Sequence, residues 1–521
     1  MRHPLLYQLN TRVYLRERSM ALGHQASFEH IPDTLLDQLK DLGYEWLYLL
    51  GVWQTGEVAP KLSRSDPNTR AGCQKSLPDF KDEDIIGSPF AIKSYNPNRD
   101  FGGDAALAKL RQRVHQRGLK LMLDFVPNHM APDHEWVSTH PEYLISGTEE
   151  DRAREPQNWG RFETTSGPRI FAHGRDPYFA GWADTVQLNY RHPKLREAML
   201  NQLERVAERC DGARCDMAML LEPDVFTRTW GDRALPKDGF PPDDVPFWPK
   251  AIENIRGRHP GFTLMAEVYW DMEWRLQEHG FNFTYDKRLY DRLHGGAAQA
   301  VREHLQADPE YQNRSARFLE NHDEPRAAGT FPFEMHRPAA VITFFTPGLR
   351  FLQEGQMEGW RTHASMHLGR RPKEPTNPQI RAFYESLLKC LRRPEVHEGF
   401  FHLWQPRQAW DGNPTWNNFI CFSWHDDDGH CSIAVANYAG TQGQCYVPID
   451  LGLLAGETWK LSDLLGPVSY QRSGDEMRTR GLYLDLPAWG CHFFDVVPVP
   501  KQAEHYEQGD IRKPEVAGRT R

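Results

Sequence analysis

Long apolar runs, cysteine pairs and blocks of one-sign charge are all missing from this 521-residue sequence. The longest apolar run worth testing, Trp46 to Trp53, is broken at Gly51 and falls far short of the roughly 20 residues a membrane-crossing helix requires. The first residues, MRHPLLYQLNTRVYLRERS, alternate apolar and polar and lack the apolar core and small-residue cleavage site of a secretory signal. The eight cysteines, at 73, 210, 215, 390, 421, 431, 445 and 491, form no C-x-x-C pair and no tight framework, which implies reduced thiols and a cytoplasmic address. Cys215, between two residues of catalytic interest, reads as a small buried strand residue. The formal charge of −9 is spread without a basic arm, so neither nucleic acid nor a membrane is an expected partner. No H-E-x-x-H, phosphate loop or G-x-G-x-x-G after a strand is present, which leaves metal-hydrolase and nucleotide-enzyme readings little support.

What is present is a repeated helix-then-strand grammar. Pro32 and Asp33 open a helix with Leu35, Leu36, Leu39 and Leu42 on one face, Gly43 closes it, and Trp46 to Leu50 read as a buried strand. Asp104 is expected to cap a second helix bearing Leu107, Leu110 and Val114, stopped by Gly118 and followed by the strand LMLDFV. Pro193 starts a third, with Leu195, Met199, Leu203 and Val206, leading to the strand around Arg214 and Asp216. Buried strands alternating with helices imply a parallel sheet, closed or open. The interval from Asp124 to Asp216 is about three times the roughly 30 residues of one barrel unit, so an inserted domain is placed at 130 to 189. The Pro- and Asp-rich span from Pro223 to Pro249 reads as a long loop over one face. Beyond about residue 400, FICFSW, the turn DDDG and CSIAVANY predict an antiparallel β domain over 400–498, with a polar tail at 499–521.

Four segments share one design, an apolar strand running into Asp, Glu, His, Asn or Arg at its C-terminal end: LMLDFVPNH, GARCDMAM, TLMAEVYW and RFLENHDEPR. In a barrel such strand ends open onto one face, where catalytic groups from different strands converge. Three acids, Asp216, Glu267 and Asp323, each close such a strand, and an acid near a core is costly unless it pairs or reacts. Cleavage of an acetal between sugars needs a carboxylic acid to protonate the leaving oxygen and a carboxylate to attack or shield an oxocarbenium-like centre. Arg214 lies two residues before Asp216, on the same face of a strand, where a cation keeps that carboxylate ionised. Glu267 follows Leu264, Met265 and Ala266, surroundings that favour its protonated form.

In order and spacing, the four segments resemble the four signature regions of the α-amylase family. The resemblance runs from about Met1 to residue 390 and implies a (β/α)8 TIM barrel formed by 1–129 plus 190–395, the insert after its third strand, and the C-terminal domain. It implies that Asp216 forms a covalent glycosyl intermediate, that Glu267 acts as acid then base, and that Asp323 binds sugar hydroxyls and stabilises the transition state. Arg214, His129 and His322 would complete the subsite. Phe90, in GSPFAIKSYNPNRDFGG, matches the position of an aromatic that stacks on the sugar; Trp53, Tyr269 and Trp270 are weaker candidates. Asp124 and Asn128 read either as site scaffolding or as direct contacts. No cofactor is implied for the chemistry, while Asn128 is the family-like position for one ligand of a structural calcium ion, its partner Asp in the insert left unidentified.

Where family members carry a Lys-His pair on the aglycone side, this sequence has Met219 and Leu220, and the stretch TVQLN (185–189) leaves the subfamily open. The expected partner is therefore an α-glucan or maltooligosaccharide, hydrolysed with retention. Two alternatives stand beside that reading: transfer of the glycosyl group to a sugar acceptor, favoured by an apolar Met219 and Leu220, and a non-catalytic glucan-binding barrel, against which the three acids argue.

Overall fold

The computed structural model describes residues 3–500; the sequence-based polar tail lies almost wholly outside the described residues. Eight strands form one closed barrel: β1 Leu5–Asn10, β2 Trp46–Leu50, β3 Lys120–Phe125, β4 Gly212–Cys215, β5 Thr263–Ala266, β6 Phe283–Tyr285, β7 Ser315–Arg317 and β8 Leu349–Gln353. Every neighbouring pair is parallel, and β1 closes on β8 with Leu6 opposite Phe351. Strands such as Trp46–Leu50, buried at every position, show why these runs are continuously apolar: one face meets the barrel interior and the other the surrounding helices. Inside the barrel, Tyr48 of β2, Arg214 of β4, Tyr285 of β6 and Phe351 of β8 meet in one layer, with Tyr48 and Tyr285 each against the Phe351 ring and the Arg214 guanidinium over Tyr285. Four inward side chains from alternate strands is the packing such a barrel requires, and here one of the four is a buried cation.

Two excursions stand above the C-terminal ends of the strands. Between β3 and β4 the chain makes a hairpin of Trp159–Phe162 with Arg169–Ala172, and pairs His129–Met130 with Val186–Gln187. The other lies between β2 and β3, where Trp53–Thr55 pairs with Ile92–Pro97 around the helices Val58–Ser65 and Pro67–Ser76.

Two sequence expectations are corrected. Pro223 does not begin a loop: Pro223–Trp230 is a helix with Pro at its first turn and Val225, Phe226 and Trp230 buried, and Phe247–Arg258 is another. Proline at the first helical position sets φ and costs no hydrogen bond, so it opened a helix where composition suggested none. Nor does Asp104 cap the helix Gly103–His115, whose N-cap is Gly102 at φ 93°; Asp104 instead accepts from Arg209 Nε at 2.6 Å.

The C-terminal part folds as two antiparallel sheets, of six and three strands, that share a core including Phe419, Ile433, Val435, Cys445, Val447 and Leu484. It is fastened to the barrel by Trp424 Nε1 donating to Phe345 O at 2.6 Å and by Phe493 stacked on Phe345 at 4.0 Å. All eight cysteines are buried and unpaired, and burial pushes the Cys215 thiol far up, leaving it an inert core group. Among the described residues no helix is long and apolar enough to cross a membrane.

Candidate active site

The strand ends of β4, β5 and β7 bring Asp216, Glu267 and Asp323 to one cavity of about 270 Å³, which Phe90, His129, Arg214 and Met217 also line. Backbone bonds set the first two acids side by side: Asp216 N donates to Phe125 O at 2.9 Å, and Glu267 N to Cys215 O at 3.0 Å. Asp323 is presented by a knotted turn. Asn321 Oδ1 accepts from the backbone N–H of Asp323 and of Glu324, both at 2.9 Å, while the buried Glu320 accepts from Ala327 N at 2.7 Å and Arg326 Nη1 at 2.5 Å.

One guanidinium ties the acids together. Arg214, wholly buried, places Nη1 at 2.6 Å from Asp216 Oδ1 and Nη2 at 2.7 Å from Glu267 Oε2, with Asp323 Oδ2 at 3.9 Å. It is braced from below by Tyr285, whose hydroxyl lies 3.4 Å from Nε, and capped by the Phe90 ring at 5.1 Å. A buried cation facing three acids is neutralised only if some of them stay charged.

The environments of the acids differ. Burial pushes Glu267 up to about 8, with the repulsion of Asp216 and Asp323 adding to it and Arg214 opposing. Its oxygens also accept from Met217 N at 2.8 Å and from the Tyr269 hydroxyl at 2.8 Å. Asp323, 27 % exposed toward the cavity, is raised by the same desolvation, against the pull of Arg214 and His363. Met217, directly after Asp216, has φ 43°, a left-handed conformation that costs a side-chain-bearing residue about 1–3 kcal/mol. That turn is what aims the Met217 N–H at Glu267.

His129 is buried against Trp182 at 5.1 Å, and His322 lies between Phe90, at 5.5 Å, and Asp323, with its Nε2 3.1 Å from Oδ2. Burial lowers both imidazoles, so they are neutral. The Gln8 side chain meets His322 Nδ1 at 2.9 Å.

Other sequence candidates lie elsewhere. Asp124 is not on the cavity wall: Oδ1 accepts from the Tyr48 hydroxyl at 2.5 Å and Oδ2 from Gly51 N at 2.9 Å, and burial pushes it up to about 6. It supports the floor, because a carboxylate with both oxygens occupied has little left to offer a ligand. Trp53, fully buried, donates Nε1 to Asp124 O at 2.7 Å and belongs to the same support. Tyr269 touches Glu267 through its hydroxyl, and Trp270 packs against Tyr178 at 4.9 Å. Met219 and Leu220 are buried in the short turn Ala218–Leu221, with Trp248 Nε1 donating to Ala218 O at 2.8 Å; neither lines the cavity, whereas Met217 does. The wall also holds Ser88 and Thr185, from two segments the sequence singled out for other residues, and Trp182, Asp184, Met366 and His367, which carried no sequence signal because loops after different strands bring them together.

Asn128 was the expected calcium ligand, and its surroundings do not fit that ion. Its side chain is clasped to Gln187: Nδ2 donates to Gln187 Oε1 at 3.2 Å, and Gln187 Nε2 reaches Asn128 Oδ1 at 3.0 Å and Asn128 O at 2.9 Å. Calcium takes six to eight oxygens, typically including carboxylates, and here two neutral amides satisfy each other.

Residues 35–360 match the family model described as the α-amylase catalytic domain. The chain belongs to the α-amylase family. Relatives in that family include α-amylase MalA of Haloarcula japonica, 25 % identical over 366 residues that cover 68 % of this chain and 44 % of that protein. α-Amylase 3 of Dictyoglomus thermophilum is 23 % identical over 291 residues, 51 % of this chain and 53 % of that protein. The chain thus spans about half the length of these curated relatives. Among solved structures of the family, the maltogenic α-amylase AmyB from Thermotoga neapolitana superposes with a TM-score of 0.65 at 17 % identity, covering 95 % of this chain and 99 % of that one. An α-amylase from Lactobacillus plantarum gives 0.63 at 20 % identity, with the same coverage. These likenesses carry the fold.

Proposed function

We propose that this protein hydrolyses α-glucosidic bonds of maltooligosaccharides or related α-glucans with retention of configuration. The observation that carries this reading is the guanidinium of Arg214 bonded at once to Asp216 and Glu267. Holding two carboxyl groups on adjacent nitrogens of one side chain suits the closer separation, about 5–5.5 Å, at which a second carboxylate serves as nucleophile. Asp216 then attacks the anomeric carbon as the bond to the leaving oxygen breaks, and Glu267 gives that oxygen its proton. Water next attacks the glycosyl ester, Glu267 takes the water's proton, and Asp216 leaves as carboxylate. Asp323 binds hydroxyls of the distorted sugar, Phe90 offers it an apolar face, His129 donates to it as a neutral imidazole, and His322 faces Asp323 through Nε2 and holds it in place. The buried reduced thiols support an address in the cytoplasm. Chromatography of products from maltooligosaccharides, sucrose, trehalose and starch, with Asp216→Asn as control, tests the reading. Shorter sugars made only by the wild type support it; longer products beside them point to glycosyl transfer, and no turnover removes the substrate class.

A further inference from the structure

On one side of the cavity the loops after β2 and β8 are knit together, with Ile86 N donating to His367 O and Gly369 N to Asp84 O, both at 2.8 Å. Around the ring of strands, β8, β1, β2 and β3 are contiguous, and the loops following β2, β3 and β8 supply Ser88, Trp182, Asp184, Thr185, Met366 and His367. The loops after β4 and β5, on the opposite side of the ring from β8 and β1, contribute Met217 and Glu267. At about 270 Å³ the space lies below the roughly 300–1,000 Å³ of drug-sized ligand sites, so it suits one sugar ring rather than a run of them.

On this side Ser88, Thr185, His367 and Arg12 have hydrogen-bond partners. Ser88 Oγ accepts from Phe90 N at 3.1 Å, His367 Nδ1 meets Ser63 Oγ at 3.0 Å, and Thr185 Oγ1 donates to Trp182 O at 2.7 Å. Arg12, a cation that feels the charge of Asp184, spends its guanidinium on Gly87 O at 2.9 Å and Ile86 O at 2.7 Å. Asp184 is the exception. It is 8 % exposed, and its Oδ2 is buried with no hydrogen-bond partner among the described residues. A buried carboxylate oxygen without a donor is costly, and the cost is recovered when a ligand brings one.

We propose that Asp184 closes the glycone end of the cavity and accepts a hydrogen bond from a hydroxyl of a terminal, non-reducing sugar, so that the protein removes single sugar units from chain ends. This rests on the hydrolase reading above and specifies it: Asp184 is a specificity-determining residue, and internal bonds of a long glucan are not substrates. A chain continuing past the bound sugar would have to pass through the wall that carries Asp184 and would leave Oδ2 unpaired.

The test uses the whole protein and two 4-nitrophenyl maltoheptaosides, one with a free non-reducing end and one blocked there by an ethylidene group across O4 and O6. Release of single glucose units from the free chain, with the blocked chain intact, is the expected result. Cleavage of both at similar rates, with internal fragments, overturns the proposal while leaving the hydrolase reading in place. Cleavage of neither overturns both. A second measurement compares maltose with its monodeoxy analogues at the terminal ring: the wild type should disfavour one analogue by about 10- to 100-fold in kcat/KM, and Asp184→Ala should treat that analogue and maltose alike. Discrimination that survives Asp184→Ala places the hydroxyl on another residue and rejects the assignment. If that variant does not fold, the blocked-chain result on the wild type still decides.

Discussion

The Tyr269 hydroxyl donates to Oε1 of Glu267 at 2.8 Å, two residues along the same strand end, while the strained turn at Met217 brings a backbone N–H to Oε2 at 2.8 Å. Both oxygens of the proposed acid/base are thereby held by fixed donors. Tyr269→Phe removes one donor to the charged form. The expected outcome is a fall in kcat of about tenfold, from the roughly 1–1.5 kcal/mol of one hydrogen bond, with KM little changed. Because a donor to the carboxylate favours ionisation, its loss also moves the alkaline limb of the rate profile upward. Steady-state kinetics from neutral to alkaline pH check both effects, and a change in KM alone contradicts this role.

Glu267 must be protonated to serve the leaving oxygen, and its burial holds it so up to about pH 8. The account therefore expects kcat/KM to decline as pH rises through about 8, where the proton to be donated is lost. Glu267→Gln should lower kcat by about 10²–10⁴ on natural glucosides. It should lower it much less on a glycosyl fluoride, whose leaving group needs no proton. Equal losses on both substrates would show that Glu267 is not the proton donor.

The mutual clasp of Asn128 and Gln187 stands where a structural ion was expected, so a chelator should leave both the melting temperature and activity unchanged. Gln187→Ala strands the Asn128 amide and backbone carbonyl in a buried site, at a cost of about 1–3 kcal/mol. Thermal melts with and without chelator, for both proteins, check this. A drop on chelation of the wild type that Gln187→Ala no longer shows would mean that an ion sits in the clasp.

Asp286, at the end of β6, accepts from Leu289 N at 3.0 Å, from Arg317 Nη1 at 2.9 Å and from His304 Nε2 at 2.8 Å. Burial would raise it, but these cationic and hydrogen-bonding partners win and hold it down at about 2, against the ordinary 3.8. In the acid range the unfolded chain then binds more protons than the folded one. The stability Asp286 contributes is complete above about pH 4 and is lost as pH falls through about 2, an effect on the order of 2 kcal/mol. Asp286→Asn should cost about 3–5 kcal/mol near neutrality by leaving a buried Arg317 unpaired. Urea titrations should show that deficit narrowing between about pH 5 and pH 2; a constant gap would mean that the carboxylate carries no linked proton.

How much of this was legible in the chain follows from the physics of each part. The strand ends at Asp216, Glu267 and Asp323 stand out because a continuously buried strand is apolar and any acid beside it must be justified. Arg214 was legible by its period-two spacing from Asp216. Its support by Tyr285 was not, since the two come from strands far apart in sequence. The apolar Met219 and Leu220 were read as facing an acceptor, yet a short turn folds them into the core and presents Met217 instead. Asp184 looked like any loop acid; only the packing of the loops after β2, β3 and β8 shows that its oxygen lacks a donor. Pro223 misled because proline marks both loops and first helical turns, and the burial of Phe226 and Trp230 decides between them.

The central claim is a covalent glycosyl ester on Asp216. It is tested most directly by incubating the protein with a 5-fluoroglycosyl fluoride, which slows breakdown of such an ester, and mapping the mass increment by peptide mass spectrometry. The account predicts one added fluoroglycosyl group on the peptide carrying Asp216, absent from Asp216→Asn. Turnover of the reagent with no adduct, or an adduct on another carboxylate, would contradict it.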